Sequence, residues 1–267
     1  MKHNFLTCSV LAVVVLHLAA CSNNNDDLVT MMDSQGTTAC NFSSLTATSM
    51  EDYDFSTNFS DFFSESPRWE SENADITLVN GRGQLNANSS NTSQALEAWK
   101  LFKTQMPYNK SWQISVDVNL PLFWNSNGGN NAQVGAGIFV GLPVASGQSS
   151  KVYECNFAVV NGGGRFVQAQ LIANRLGADP IDVQNSTSDQ SKENATLRIE
   201  FCTSNKTLTL FIDNSVVGVG RAIDSNGLDN WQLTETGVMD VGIMGFAENT
   251  VITSNQPTVD NFSYRIY

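Results

Sequence analysis

The chain has 267 residues and a formal charge of −12 at pH 7, yet only 15% of its residues are charged. That acidity argues against nucleic-acid binding, because phosphate contact needs a basic patch. Its two histidines, His3 and His17, both lie in the first twenty residues; a chain cleaved after them can run neither a Ser-His-Asp triad nor a Cys-His pair, and cannot build a histidine zinc site.

Taken in chain order, residues 1–20 have the layout of a secretory signal. Lys2 precedes an apolar run from Phe5 to Leu18, and Ala19-Ala20 follow. The run is too short for a good membrane span, and no later stretch is long and apolar enough to make one. Residues 21–53 lack periodicity and are dominated by Asn, Asp, Ser and Thr, which predicts a flexible tether. The folded domain is expected over residues 54–267. Ile76 and Leu78, the turn Asn80-Gly81 and the return from Gly83 to Ala87 predict a hairpin. The stretch Ala95 to Phe102 fits a short helix or a strand, and its length and setting favour the strand. Trp112 to Leu120 alternates without a break: Trp112, Ile114, Val116, Val118 and Leu120 form an apolar row, opposed by Gln113, Ser115, Asp117 and Asn119. Pro121, lacking an N–H, ends it.

Phe123 to Asn131 is a Gly/Asn loop that carries Trp124. Val134 to Gly141 is a strand of small residues, and Lys151 to Val160 and Arg165 to Asn174 form a hairpin. The clearest element is Ala195 to Arg221, three strands joined by Thr203–Lys206 and Asp213–Ser215, a β-meander. Val238 to Phe246 reads as a buried strand, and Thr258 to Tyr267 closes the chain. So many short strands without a convincing helix predict an all-β fold, a two-sheet antiparallel sandwich.

Cys8 falls in the signal. Of the others, Cys40, Cys155 and Cys202 are an odd set for an oxidising compartment. Cys155 shares a strand face with Tyr153, Phe157 and Val159, which predicts a buried thiol. Cys202 shares a face with Arg198 and Glu200, which places it outside or at a strand end. A Cys40–Cys202 pair and a Cys155–Cys202 bridge both remain open.

Two resemblances add to this reading. Leu18-Ala19-Ala20-Cys21 resembles the lipobox of bacterial lipoproteins, which implies lipid on Cys21, anchoring by more than one acyl chain and, with Ser22 following, an outer-membrane address. The order W-x-I-x-V-D-V-x-L-P, G-A-G-I-F-V, L-R-I-E-F, K-T-L-T-L-F-I-D and V-D-N-F-S resembles the concanavalin A-like lectin/glucanase superfamily, a jelly roll of two curved sheets, over about Phe55 to Tyr267. Members include lectins, carbohydrate-binding modules, glycosidases, lyases and adhesion domains, so the likeness bears on fold more than on function. The E-x-D-x-x-E string of its glucanase branch is absent, as are the Q-x-H and R-x-E-x-R strings of its alginate-lyase branch.

The resemblance implies a ligand on the concave sheet and its rim. The outward rows offer Asp117 and Asn119, Glu154 and Asn156, and Gln168 and Gln170, whose amides and carboxylates can pair with sugar hydroxyls. Trp124, and Trp99 beside it as a candidate, could stack on a sugar face. A structural calcium held near Asp260 and Asp61 is a further implication. The expected function is that of a lipid-anchored, non-catalytic glycan-binding module. The alternatives are a glycosidase or lyase with an unfamiliar carboxylate site, for which Asp117 and Glu154 would have to lie about 5 Å apart if retaining, and a structural or adhesion subunit with a protein partner.

Overall fold

The computed structural model describes residues 40–57, 70–72, 76–85, 97–121, 125–126, 133–141, 151–160, 164–171, 192–221, 237–248 and 252–267. A short 3-10 turn at Phe42–Ser44 comes first. The strands follow as β1 (Ser49–Tyr53), β2 (Glu70–Glu72), β3 (Ile76–Val79), β4 (Arg82–Leu85), β5 (Glu97–Pro107), β6 (Trp112–Asn119), β7 (Asn125–Ser126), β8 (Gln133–Gly141), β9 (Lys151–Val160), β10 (Gly164–Leu171), β11 (Asn194–Cys202), β12 (Thr207–Ile212), β13 (Ser215–Arg221), β14 (Val238–Glu248), β15 (Ile252–Ser254) and β16 (Thr258–Ile266).

They build an antiparallel jelly-roll sandwich. The eight-stranded sheet runs β13-β12-β11-β6-β16-β4-β3, with β1 also paired to β16. The six-stranded sheet runs β10-β9-β8-β14-β5-β2, and β7 pairs with β15 in a small third sheet. The alternation predicted for β6 is seen residue by residue: Trp112, Ile114, Val116 and Val118 are buried, and the polar row between them is part-exposed. Leu197, Ile199 and Phe201 of β11 and Leu208, Leu210 and Ile212 of β12 join them in one apolar cluster. Trp112 stacks on Phe201 with ring centroids 5.5 Å apart. The opposite wall of that cluster is Val134, Ala136, Ile138 and Val140 of β8 with Met239, Val241, Ile243 and Ala247 of β14.

Tight turns fix the registers. Asn80 and Gly81 both take positive φ (53° and 75°) between β3 and β4, the twist that a two-residue hairpin needs. Asp213 and Asn214, at φ 49° and 67°, do the same between β12 and β13. In β16 the register with β6 shifts between Asp260 and Ser263, and Asn261 sits there at φ 50°; this is a β-bulge, with an Asn tolerating the left-handed conformation.

One expectation is met and two need correction. The ambiguous Ala95–Phe102 stretch is a strand throughout its described part, and it runs on to Pro107. The tether does not reach residue 53: the compact unit starts at Ala39, and Ser49–Tyr53 pairs along its whole length with Phe262–Ile266. Polar composition hid this strand, because of its five residues only Tyr53 is buried. Cys202 ends β11, as one alternative had it, but it is 4% exposed rather than outward-facing, because it is bonded to Cys40. Of the pairings left open, Cys40–Cys202 is the one formed. Cys155 is the Cα partner of the core residue Ile138, on the core-facing side of β9. The signal (1–20), Cys21, Asp61 and Trp124 lie outside the described residues.

Candidate functional site

The sequence candidates divide between two outer faces. Val116 and Val118 belong to the core, so Asp117 and Asn119 lie on the outer face of the eight-stranded sheet. On β9, Glu154 is the Cα partner of Phe139, and Asn156 is that of Gly137; both therefore lie on the outer face of the six-stranded sheet. Two packed sheets stand about 10 Å apart, and residues on their outer faces point away from one another. Asp117 and Glu154 thus stand on different sheets.

Asp117 and Asn119 are committed to joining strands. Asp117 Oδ1 accepts from the Thr196 hydroxyl at 2.7 Å, and Oδ2 accepts from the Asn261 amide at 2.8 Å. That ties β6 to β11 on one side and to the β16 bulge on the other. Asn119 Nδ2 donates to Asn194 Oδ1 at 3.0 Å and to the Glu193 carbonyl at 3.3 Å. Farther along the same face Gln113 donates to Glu200 Oε1 at 2.6 Å and accepts from the Tyr267 hydroxyl at 2.6 Å. Burial pushes the Glu200 carboxyl above its ordinary range, against the pull of Arg198 and of the Gln113 amide. The Arg198 guanidinium lies 4.1 Å from the Phe211 ring centroid.

Asp260 is placed as a backbone clasp. Its Oδ1 accepts from the Phe55 amide at 3.0 Å and from the Asn261 amide at 2.8 Å. Its Oδ2 faces the Arg82 guanidinium at 3.8 Å. An oxygen already shared by two N–H groups beside a fixed cation does not suit a calcium ion, which wants six to eight oxygens. Among the described residues no group of three His, Cys, Asp or Glu side chains converges.

The other four candidates come together. Across β9 and β10, Glu154 is the Cα partner of Gln170, and Asn156 that of Gln168. All four positions share the outer face, two residues apart along each strand. This two-by-two block borders the central strands β8 and β14, whose outer-face positions are unlike those of a solvated sheet. Gly135, Gly137, Gly141 and Gly242 fall on that side, and each is buried. Phe139 and Met244, also on that side, are fully buried while standing outside the main apolar cluster. The sheet is therefore covered on both faces at its centre.

Sequence reasoning passed over Asp240. It is 2% exposed and sits in β14 opposite Gly141 and Gln105, on the same outer face. A lone acid in the otherwise apolar run VMDVGIMGF was the signal available, since an acid is rarely buried in a strand without a role or a partner.

No protein-family model and no curated protein matches the chain. Among solved structures, the domain is similar to the metal-free Emp46p carbohydrate recognition domain, with TM-score 0.48 and 13% identity over 81% of this chain and 95% of that one. It is similar to the Bauhinia forficata lectin solved with GalNAc, with TM-score 0.47 and 13% identity over 82% and 98%. The Ulex europaeus lectin I complex with the methyl glycoside of α-L-fucose gives TM-score 0.46 and 13% identity over 82% and 96%.

Proposed function

We propose that this chain is a non-catalytic carbohydrate-binding module, carried on the bacterial outer membrane by lipid on Cys21, and that it holds a glycan at the outer face of the six-stranded sheet. One observation carries the reading: Glu154, Asn156, Gln168 and Gln170 are register neighbours on adjacent strands of one face. Amides offer both donors and acceptors, and a carboxylate offers acceptors only. A block that mixes them can match the paired hydroxyls of a sugar ring, each of which both donates and accepts. The strand spacing of about 4.8 Å and the same-face repeat of about 6.8 Å are on the scale of one sugar ring. The lipid anchor rests on the Leu18–Cys21 pattern after an apolar run.

The test is a glycan array followed by calorimetry, beginning with GalNAc and fucose glycosides, the sugars named for the solved lectins. A glycan that binds should lose about tenfold or more in affinity with Glu154→Gln or Gln170→Ala, about the cost of one good hydrogen bond. Asp117→Asn, on the other sheet, should bind as the wild type does. No binding to any glycan, or equal binding by all variants, would refute the proposal. Fatty-acid labelling lost with Cys21→Ser tests the anchor separately.

A further inference from the structure

We infer that the Cys40–Cys202 disulfide is a latch on the N-terminal arm, residues 40–53, and that a dithiol reductant opens it without unfolding the sandwich. The arm is pinned at its two ends. At one end Tyr53 and, just beyond it, Phe55 are buried at 3% and 0% exposure, and Phe55 is clasped by Asp260. At the other end Cys40 is bonded to Cys202, at the close of β11. Between these points no side chain is buried. The large apolar residues there, Leu45 and Met50, are 42% and 55% exposed. Along it run an edge ladder from Ser49 to Tyr53, hydrogen bonds to the Ile266 carbonyl from the Thr48 amide at 2.6 Å and its hydroxyl at 3.0 Å, the part-exposed Arg265–Asp52 ion pair and an edge-on contact between the rings of Phe42 and Tyr267. Exposed ion pairs contribute little, and a short ladder without a buried face is marginal. Local opening therefore costs little once the covalent end is released.

The chemistry balances with a dithiol. Cys40 is part-exposed whereas Cys202 is buried, so the reductant's thiolate attacks the Cys40 sulfur. This forms a mixed disulfide and expels Cys202 as a thiolate. The reductant's second thiol then displaces Cys40 and closes the reductant into its own disulfide. Two electrons pass to the protein, which ends with two thiols. The released arm moves the point where the chain leaves the fold from Cys40 to Tyr53. That adds up to about 45 Å of extended reach to whatever precedes it. It also bares the β16 edge from Phe262 to Ile266.

Amide exchange followed by mass spectrometry on the whole oxidised protein, with and without dithiothreitol, tests the latch, and Cys40→Ser repeats the test without reductant. Exchange over residues 41–52 should rise about tenfold or more in both cases, while β6 and β11 keep their protection. An arm that stays protected after reduction overturns the inference. So does equal loosening of β6 and β11, which would make the bond a staple of the whole fold, and so does a thiol titration that finds Cys40 and Cys202 free in the isolated protein.

Discussion

Asp260→Ala separates a structural clasp from a metal ligand. The carboxylate accepts from two backbone amides, at 3.0 Å from Phe55 and 2.8 Å from Asn261. Phe55 is fully buried, so its amide has no ready replacement for the lost acceptor; Asn261 is exposed and can turn to water. A hydrogen bond to a charged group contributes about 1.5–3 kcal/mol, and the exposed partner regains most of its share, so the variant should lose about 2–3 kcal/mol. The Arg82 contact at 3.8 Å is part-exposed and adds little. For a domain of this size the loss corresponds to a Tm lower by about 5–10 °C. Asp260→Asn keeps an oxygen in the same place and should lose about 1 kcal/mol or less. Urea unfolding followed by Trp fluorescence gives all three values. An alanine variant as stable as the wild type, or an asparagine variant as damaged as the alanine one, refutes the clasp. A wild-type Tm that a chelator lowers as far as the alanine variant does would show Asp260 acting through a cation instead.

Other expectations follow from the same structure. Phe201→Ala removes a fully buried ring that stacks on Trp112 and should cost about 3–5 kcal/mol by urea denaturation. Gly81→Ala puts a Cβ 3.1 Å from the Ser56 Cβ at φ +75° and should cost about 1–2 kcal/mol. Glu200, its carboxyl raised by burial, binds its proton more tightly in the folded state than in the unfolded one. The fold therefore loses stability as pH rises from the unfolded value through the folded one. Glu200→Gln should gain on the wild type near pH 7, and the gain should vanish below about pH 4, under the unfolded carboxylate value; a difference independent of pH would contradict this.

Local alternation made most strands legible. The rows of β6 and β11 appear in the sequence as they appear in the sheet, because a period of two is set by each strand alone. What alternation cannot tell is the sheet to which an outward row belongs. Asp117 and Glu154 look equivalent in sequence, yet they end on opposite faces, because β6 pairs with β11 and β16 while β9 pairs with β8 and β10. The strand Ser49–Tyr53 was illegible for a different reason: an edge strand with one buried residue has no apolar row to display. Cys202 departs from the parity of its strand because a distant bond to Cys40, 162 residues away in sequence, decides its surroundings. Of the candidate site, the four residues on β9 and β10 were chosen by parity alone, and their adjacency follows from the hairpin register. Asp240 was hidden by its neighbours, since an apolar strand reads as core on both sides.

The most direct test of the glycan-binding reading is amide-exchange mapping of the protein with and without a bound glycan. Added protection should concentrate on residues 151–171, where Glu154, Asn156, Gln168 and Gln170 stand. Protection appearing instead around Asp117 and Asn119 would contradict it.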